Sequence, residues 1–233
     1  MFSSRQLIVA VALLGLPLAG CSDSGEAAGA GKSPEDVIAT AKTTLDETTG
    51  LDLDLVTHNL PDDVSGISGA EGVATNAPAF EGELTVVLSG KSFGVPVVAV
   101  DGKTYAQLPL VPVWSDVDPG EYGAPEPADL VSPDKGFSAM LAATTDLEAG
   151  ESVRGGKDND EILTEYTGTV PSEAMSAIIP SVPEGNFEAT YQIADNGELR
   201  QADLTGIFYD GSPEMTYTVT FQNYGTTKEI TAP

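Results

Sequence analysis

The run Gly90-Lys91-Ser92-Phe93-Gly94 has the spacing of a nucleophile elbow, G-x-S-x-G. In hydrolases of that type the serine sits on a strand-to-helix turn, and an acid and then a histidine follow it in the chain. Here a strand-like segment follows, Val95-Pro96-Val97-Val98, and the only histidine, His58, precedes the serine. With no base downstream to activate the hydroxyl, the run is expected to be a hairpin turn. Other candidates are weaker. One His and one Cys exclude a zinc site built from N and S ligands. Asp158-Asn159-Asp160-Glu161 is contiguous, whereas a calcium loop spaces its ligands at alternate positions around a central Gly; it reads as a solvated turn. Gly155-Gly156-Lys157 lacks the rest of a phosphate-binding loop. Adjacent acids such as Asp62-Asp63 are too common among 36 acidic residues to mark acid–base catalysis. The chain is therefore expected to be no enzyme and to need no metal or cofactor.

One residue does carry chemistry. Cys21 is the sole cysteine and ends the sequence Leu18-Ala19-Gly20-Cys21. Before it stand Arg5, an apolar run from Leu7 to Leu18, and then small residues, which is the order of parts in a secretory signal peptide. The run is too short to cross a hydrocarbon core of roughly 30 Å as a helix. Leu-Ala-Gly-Cys resembles the lipobox of bacterial lipoproteins. That resemblance implies a diacylglycerol on the Cys21 thiol and cleavage after Gly20. Cys21 is then the lipid anchor and first mature residue, on the outer face of the cell membrane. A lone thiol in an exported chain has no internal partner.

The formal net charge is −26, from 10 basic and 36 acidic residues. Such a chain lacks the clustered Lys and Arg that phosphate contacts require, so nucleic acid is excluded as a partner. Charge will not hold it on anionic headgroups either. The acid excess reads as solubility.

Three segments follow from composition: a signal peptide over 1–20, the lipidated Cys with a flexible tether over 21–32, and one domain over 33–233. The tether, Ser22 to Lys32, is small and polar with no apolar period. Ser33-Pro34-Glu35-Asp36 opens a helix, capped by Ser33 and stopped near Gly50, with Val37, Ile38, Ala41 and Leu45 on one face. The period then changes to two: Leu51, Leu53 and Leu55 alternate with Asp52 and Asp54. Further strands are expected near 67–75, 80–88, 95–100, 104–108, 151–154, 162–170, 187–193, 199–209, 214–223 and 228–231. Helices are expected from Ser132-Pro133-Asp134 and from Pro171-Ser172-Glu173, and residues 109–127 are expected to be loop. Hairpin links such as Asp101-Gly102 and Asp210-Gly211 imply an antiparallel sheet. Few helices among many strands give an α+β layer fold. A sheet so sparsely covered either packs tight or encloses a cavity, and spacing alone leaves both open.

The order of several pieces resembles the LppX/LprAFG family of actinobacterial lipoproteins, whose fold is similar to the LolA and LolB carriers. These are Val100-Asp101-Gly102-Lys103-Thr104-Tyr105-Ala106, Trp114-Ser115-Asp116, Ala128-Asp129-Leu130-Val131-Ser132-Pro133-Asp134-Lys135-Gly136-Phe137, Thr167-Gly168-Thr169-Val170 and Asn223-Tyr224-Gly225. The resemblance implies a strongly curved antiparallel sheet, a half-barrel, with helices on its concave face enclosing an apolar cavity for acylated lipids or glycolipids. It turns Leu84, Val86 and Leu88 inward. The lining expected is Leu51, Leu53, Leu55, Leu84, Val86, Leu88, Val98, Val100, Met140 and Leu141. A multi-acylated envelope lipid is the expected ligand and a membrane transporter the candidate partner. The alternative is a non-catalytic scaffold, adhesion or sensor lipoprotein with a packed core.

Overall fold

The computed structural model describes residues 31–57, 59–61, 64–122, 124–156 and 159–233. Cys21, the signal segment and most of the tether lie outside the described residues, as do His58, Asp62, Asp63 and Asp158.

The first helix, α1 (Pro34–Glu47), starts as its residues dictate. The Ser33 side chain accepts from the Asp36 N–H at 3.2 Å, and Pro34 occupies the first turn, where its missing donor costs nothing. Val37, Ile38, Ala41 and Leu45 form its buried stripe. The helix ends at Glu47, before Gly50, which already belongs to the first strand.

Among the described residues, eleven strands form one open antiparallel sheet: β1 (Gly50–Thr57), β2 (Gly66–Thr75), β3 (Ala79–Leu88), β4 (Lys91–Val100), β5 (Lys103–Ala106), β6 (Ser115–Val117), β7 (Thr145–Gly155), β8 (Glu161–Pro171), β9 (Asn186–Ala194), β10 (Leu199–Gly206) and β11 (Met215–Gln222). The order is β6-β5-β4-β3-β2-β1-β11-β10-β9-β8-β7. The chain thus enters at the centre, walks to one edge, crosses to the opposite edge, and walks back to pair β11 with β1. The crossing segment, residues 118–144, carries two short 3₁₀ turns and α2 (Gly136–Ala143). It passes over the sheet, because Val131, Phe137, Met140 and Leu141 share one buried cluster with strand residues on both sides of the centre. A single helical turn, α3 (Ser172–Met175), follows β8.

Alternation decides which side of each strand joins that cluster. Phe187, Ala189, Tyr191 and Ile193 of β9 and Met215, Tyr217, Val219 and Phe221 of β11 are all buried on the core face. Fully burying a side chain of this size contributes about 1.5–3 kcal/mol. Phe137 of α2 meets Phe221 edge-on at 5.0 Å, which locks the crossing segment to β11, beside the central strand. Asp46 of α1 ties the two helices together: Lys42 binds it at 2.6 Å, and the Ser138 hydroxyl of α2 donates to the same carboxylate. The hydrogen bond to Asp46 raises the Lys42 pKa against the opposing effect of burial.

Several expectations are corrected. Residues 109–127 contain β6, the first 3₁₀ turn (Pro119–Tyr122) and the start of the second (Pro127–Asp129). The second helix starts at Gly136, because Ser132–Lys135 closes a turn in which the Lys135 N–H donates to the Ser132 carbonyl at 3.1 Å. Strand β7 is longer than its sequence pattern, since an exposed, twice-bulged edge strand has no buried face to impose alternation. Residues 228–231 are irregular rather than a strand, and Ile230 packs on Ala79 and Val98.

Candidate functional site

The motif around Ser92 resolves first. Ser89 and Gly90 form the β3–β4 hairpin turn, with φ of 51° and 73°. Ser92 lies in β4 and is exposed, and strand rather than helix follows it. Glu161, of the acidic run, opens β8 and is held by Arg200 through two hydrogen bonds of 2.7 Å. Among the described residues no three His, Cys, Asp or Glu side chains converge as a metal site would require.

What the fold builds instead is a cavity of about 120 Å³ on the core face. About 10–15 Å³ suffices for one water. Strands β1 to β3 supply Leu53, Leu55, Ile67, Ala70, Phe80 and Leu84; β10, β11 and the loop between them supply Leu204, Phe208, Tyr209, Tyr217 and Val219. The crossing segment adds Tyr122, Pro125, Pro127, Leu130 and Phe137, and the segment from α3 adds Met175, Ile178 and Ile179. No charged side chain among the described residues lines it.

Two features give the cavity its shape. Leu53, Gly72, Gly82 and Val97 are register partners across β1 to β4. A Cβ on Gly82 would sit 2.1 Å from the Glu71 carbonyl oxygen and 2.7 Å from the Gly72 Cα. Only paired glycines allow the strands to bend this closely around the Phe80 ring. At the far end of the cavity the Tyr217 hydroxyl donates to the Ile67 carbonyl at 2.6 Å. The Tyr209 hydroxyl lies 2.9 Å from that of Tyr217 and accepts from the Ile67 N–H at 3.2 Å. With its proton given to Ile67, Tyr217 accepts from Tyr209, and the ring of hydrogen bonds closes with every donor used. Burial, then the neighbouring Tyr209, pushes the Tyr217 phenol well above its ordinary range. The two phenols at this end are thus satisfied by each other and by Ile67, and most of what the wall leaves to a ligand is apolar surface.

The expected lining divides into three groups. Leu53, Leu55 and Leu84 line the cavity. Leu51, Met140 and Leu141 are fully buried in the packed core beside it, and Val86 is half-buried against that core. Leu88, Val98 and Val100 are corrections. Leu88 ends β3 and is 42% exposed. Val98 and Val100 point to the outer face, with Ala79 and Ile230, because Val95, Val97 and Ala99 take the core side of β4. That strand is apolar on both faces, so its sequence lacks the alternation that would have told them apart. Phe208 and Tyr209 of the β10–β11 loop and Tyr217 of β11 are absent from the expected lining, although Met215, Tyr217, Val219 and Phe221 alternate cleanly with threonines and Gln222.

A family model described as the LppX_LprAFG lipoprotein matches residues 33–231. The fold is similar to the crystal structure of LprF from Mycobacterium bovis, with a TM-score of 0.68 at 14% identity over 86% of this chain and 96% of that one. It is also similar to the lipoprotein LppX of Mycobacterium tuberculosis, with a TM-score of 0.61 at 19% identity over 85% and 98% of the two chains. No curated protein matches the sequence significantly.

Proposed function

The chain belongs to the LppX/LprAFG lipoprotein family, and from that premise we propose that it is an extracytoplasmic lipoprotein that binds lipid acyl chains in the cavity and carries or presents them. The observation that supports this reading is the uncharged, mostly apolar wall, whose buried phenols Tyr209 and Tyr217 are paired with each other and with Ile67. Such a wall offers little to a polar ligand, whereas an acyl chain gains about 0.8 kcal/mol per buried CH₂. In this reading the sheet curves as a half-barrel with the helices on its concave side. The ligand is a multi-acylated lipid or glycolipid. The crossing segment must then swing outward to admit more than one chain, because Tyr122, Pro125 and Pro127 form one wall of the cavity. Cys21 carries the lipid that anchors the chain to the membrane, and a membrane transporter that delivers or receives the cargo is the partner this implies. No catalytic step belongs to the reading.

The test is organic extraction of protein purified from its own host, with mass identification of co-purified lipid, on wild type and Leu84→Trp. Leu84 lines the cavity, so the indole has space there but fills what acyl chains need. Lipid in the wild type, little in the variant, and nearly equal melting temperatures are expected. An empty wild type together with a strongly destabilised variant would instead match a packed scaffold and sink the proposal.

A further inference from the structure

Between β5 and β6 the chain reads Leu108-Pro109-Leu110-Val111-Pro112-Val113-Trp114, seven residues without a charge in a chain with 46 acidic and basic ones. Residues 110–114 are all exposed, Leu110 to 97%. The conformation holds them there. The Val111 N–H donates to the Leu108 carbonyl at 2.9 Å, closing a turn around Pro109 and Leu110. Leu110 has a φ of +70°. Proline followed by a positive φ is type II geometry, and its third position ordinarily holds glycine. A leucine there is strained, and its side chain makes no folding contact that would offset the strain. Two prolines stiffen the rest. The loop therefore keeps a large apolar side chain where folding alone would favour glycine.

The end of the sheet from which this loop projects is also one the cavity reaches. The β3–β4 hairpin, Gly66 at the start of β2, and the β10–β11 loop with Tyr209 all lie at that end. Leu88 and Ile207, both exposed, share it. We propose that the 108–114 loop inserts into the surface of a lipid bilayer and brings this end of the cavity against the membrane. A bilayer is the occupant the features fit. The loop is a protrusion rather than a groove, and its only side-chain hydrogen-bonding group is the indole N–H of Trp114. The net charge of −26 rules out electrostatic adsorption to anionic lipid. Apolar insertion is what remains, and rigid aliphatic side chains beside a tryptophan suit the interface.

Trp114 is the only tryptophan in the chain, so its fluorescence reports this loop alone. The full chain is mixed with neutral phosphatidylcholine vesicles, with and without brominated acyl chains. A blue shift and quenching by the bromines are expected, insensitive to added salt. Leu110→Asp combined with Val113→Asp should lose most of the quenching with an unchanged circular dichroism spectrum. Leu110→Gly, which suits the turn, should weaken quenching while keeping or raising the melting temperature. A protein attached only through its N-terminal segment would leave Trp114 in water and unquenched. Unaltered emission with vesicles, equal quenching in wild type and variants, or quenching abolished by salt would each overturn the inference. An empty cavity with a quenched Trp114 would defeat the lipid-carrier reading and leave this one standing.

Discussion

The Tyr217 hydroxyl reaches across β1 to the Ile67 carbonyl of β2, 2.6 Å away and two strands distant in the sheet. The contact sits where the β1–β2 pairing has ended at the pair Val56 and Gly69 and β2 shifts register between Ile67 and Gly69, which frees the Ile67 backbone for the phenol. It fastens β11 to β2 over the cavity wall. Tyr217→Phe removes the proton donated to Ile67 and breaks the ring through Tyr209. The expected loss is about 1 kcal/mol, rising toward ~3 if the Ile67 carbonyl stays buried and unpaired. Urea unfolding of wild type and variant measures it; equal midpoints would show that the bond contributes nothing.

Burial raises the phenol pKa of both Tyr217 and Tyr191 in the folded protein. A raised pKa gives stability that is fully present below the unfolded value of about 10 and is lost as pH rises above it, because the unfolded chain then releases protons the folded one keeps. Each such tyrosine steepens the decline by up to ~1.4 kcal/mol per pH unit. Melting temperature should hold level through these groups up to about pH 10 and then fall. Removing both hydroxyls, Tyr191→Phe with Tyr217→Phe, should make the alkaline fall shallower. An unchanged slope would refute the assignment.

Gly82 and Gly94 should respond oppositely to alanine. At Gly82 the new Cβ meets backbone atoms of β2, which cannot give way, so Gly82→Ala should cost about 1–3 kcal/mol or more. At Gly94 it meets the Glu83 carboxylate at 2.8 Å, the free end of an exposed side chain. Gly94→Ala should stay within about 0.5 kcal/mol of wild type. Thermal melts of both variants suffice, and a tolerated Gly82→Ala would mean that the bend does not depend on the glycine pair.

The proposed anchor makes a prediction at Cys21. Cys21→Ser in the native host should move the protein from the membrane fraction to the medium or stop its processing. Persistent membrane attachment of fully processed variant would count against lipidation.

Local rules were sufficient for much of this molecule. Ser33-Pro34 set the start of α1 because a cap and a proline act within one turn. The Leu51/Leu53/Leu55 alternation set β1, and the Asp101-Gly102 and Ser89-Gly90 turns set two hairpins, because period-2 burial and positive φ are written in neighbouring residues. The order of motifs also carried the family, which the match over residues 33–231 shows. Tertiary structure decided the rest. Which face of the doubly apolar β4 looks inward depended on Ile230, more than a hundred residues away, covering Val98. The bend at Gly72 and Gly82 exists only once β2 and β3 are in register around Phe80. The crossing from β6 to β7, which makes a wall of the cavity, is a long-range closure that local propensity does not encode. A cavity is the space left between elements, and it is fixed by how far apart their backbones settle rather than by any residue's own preference.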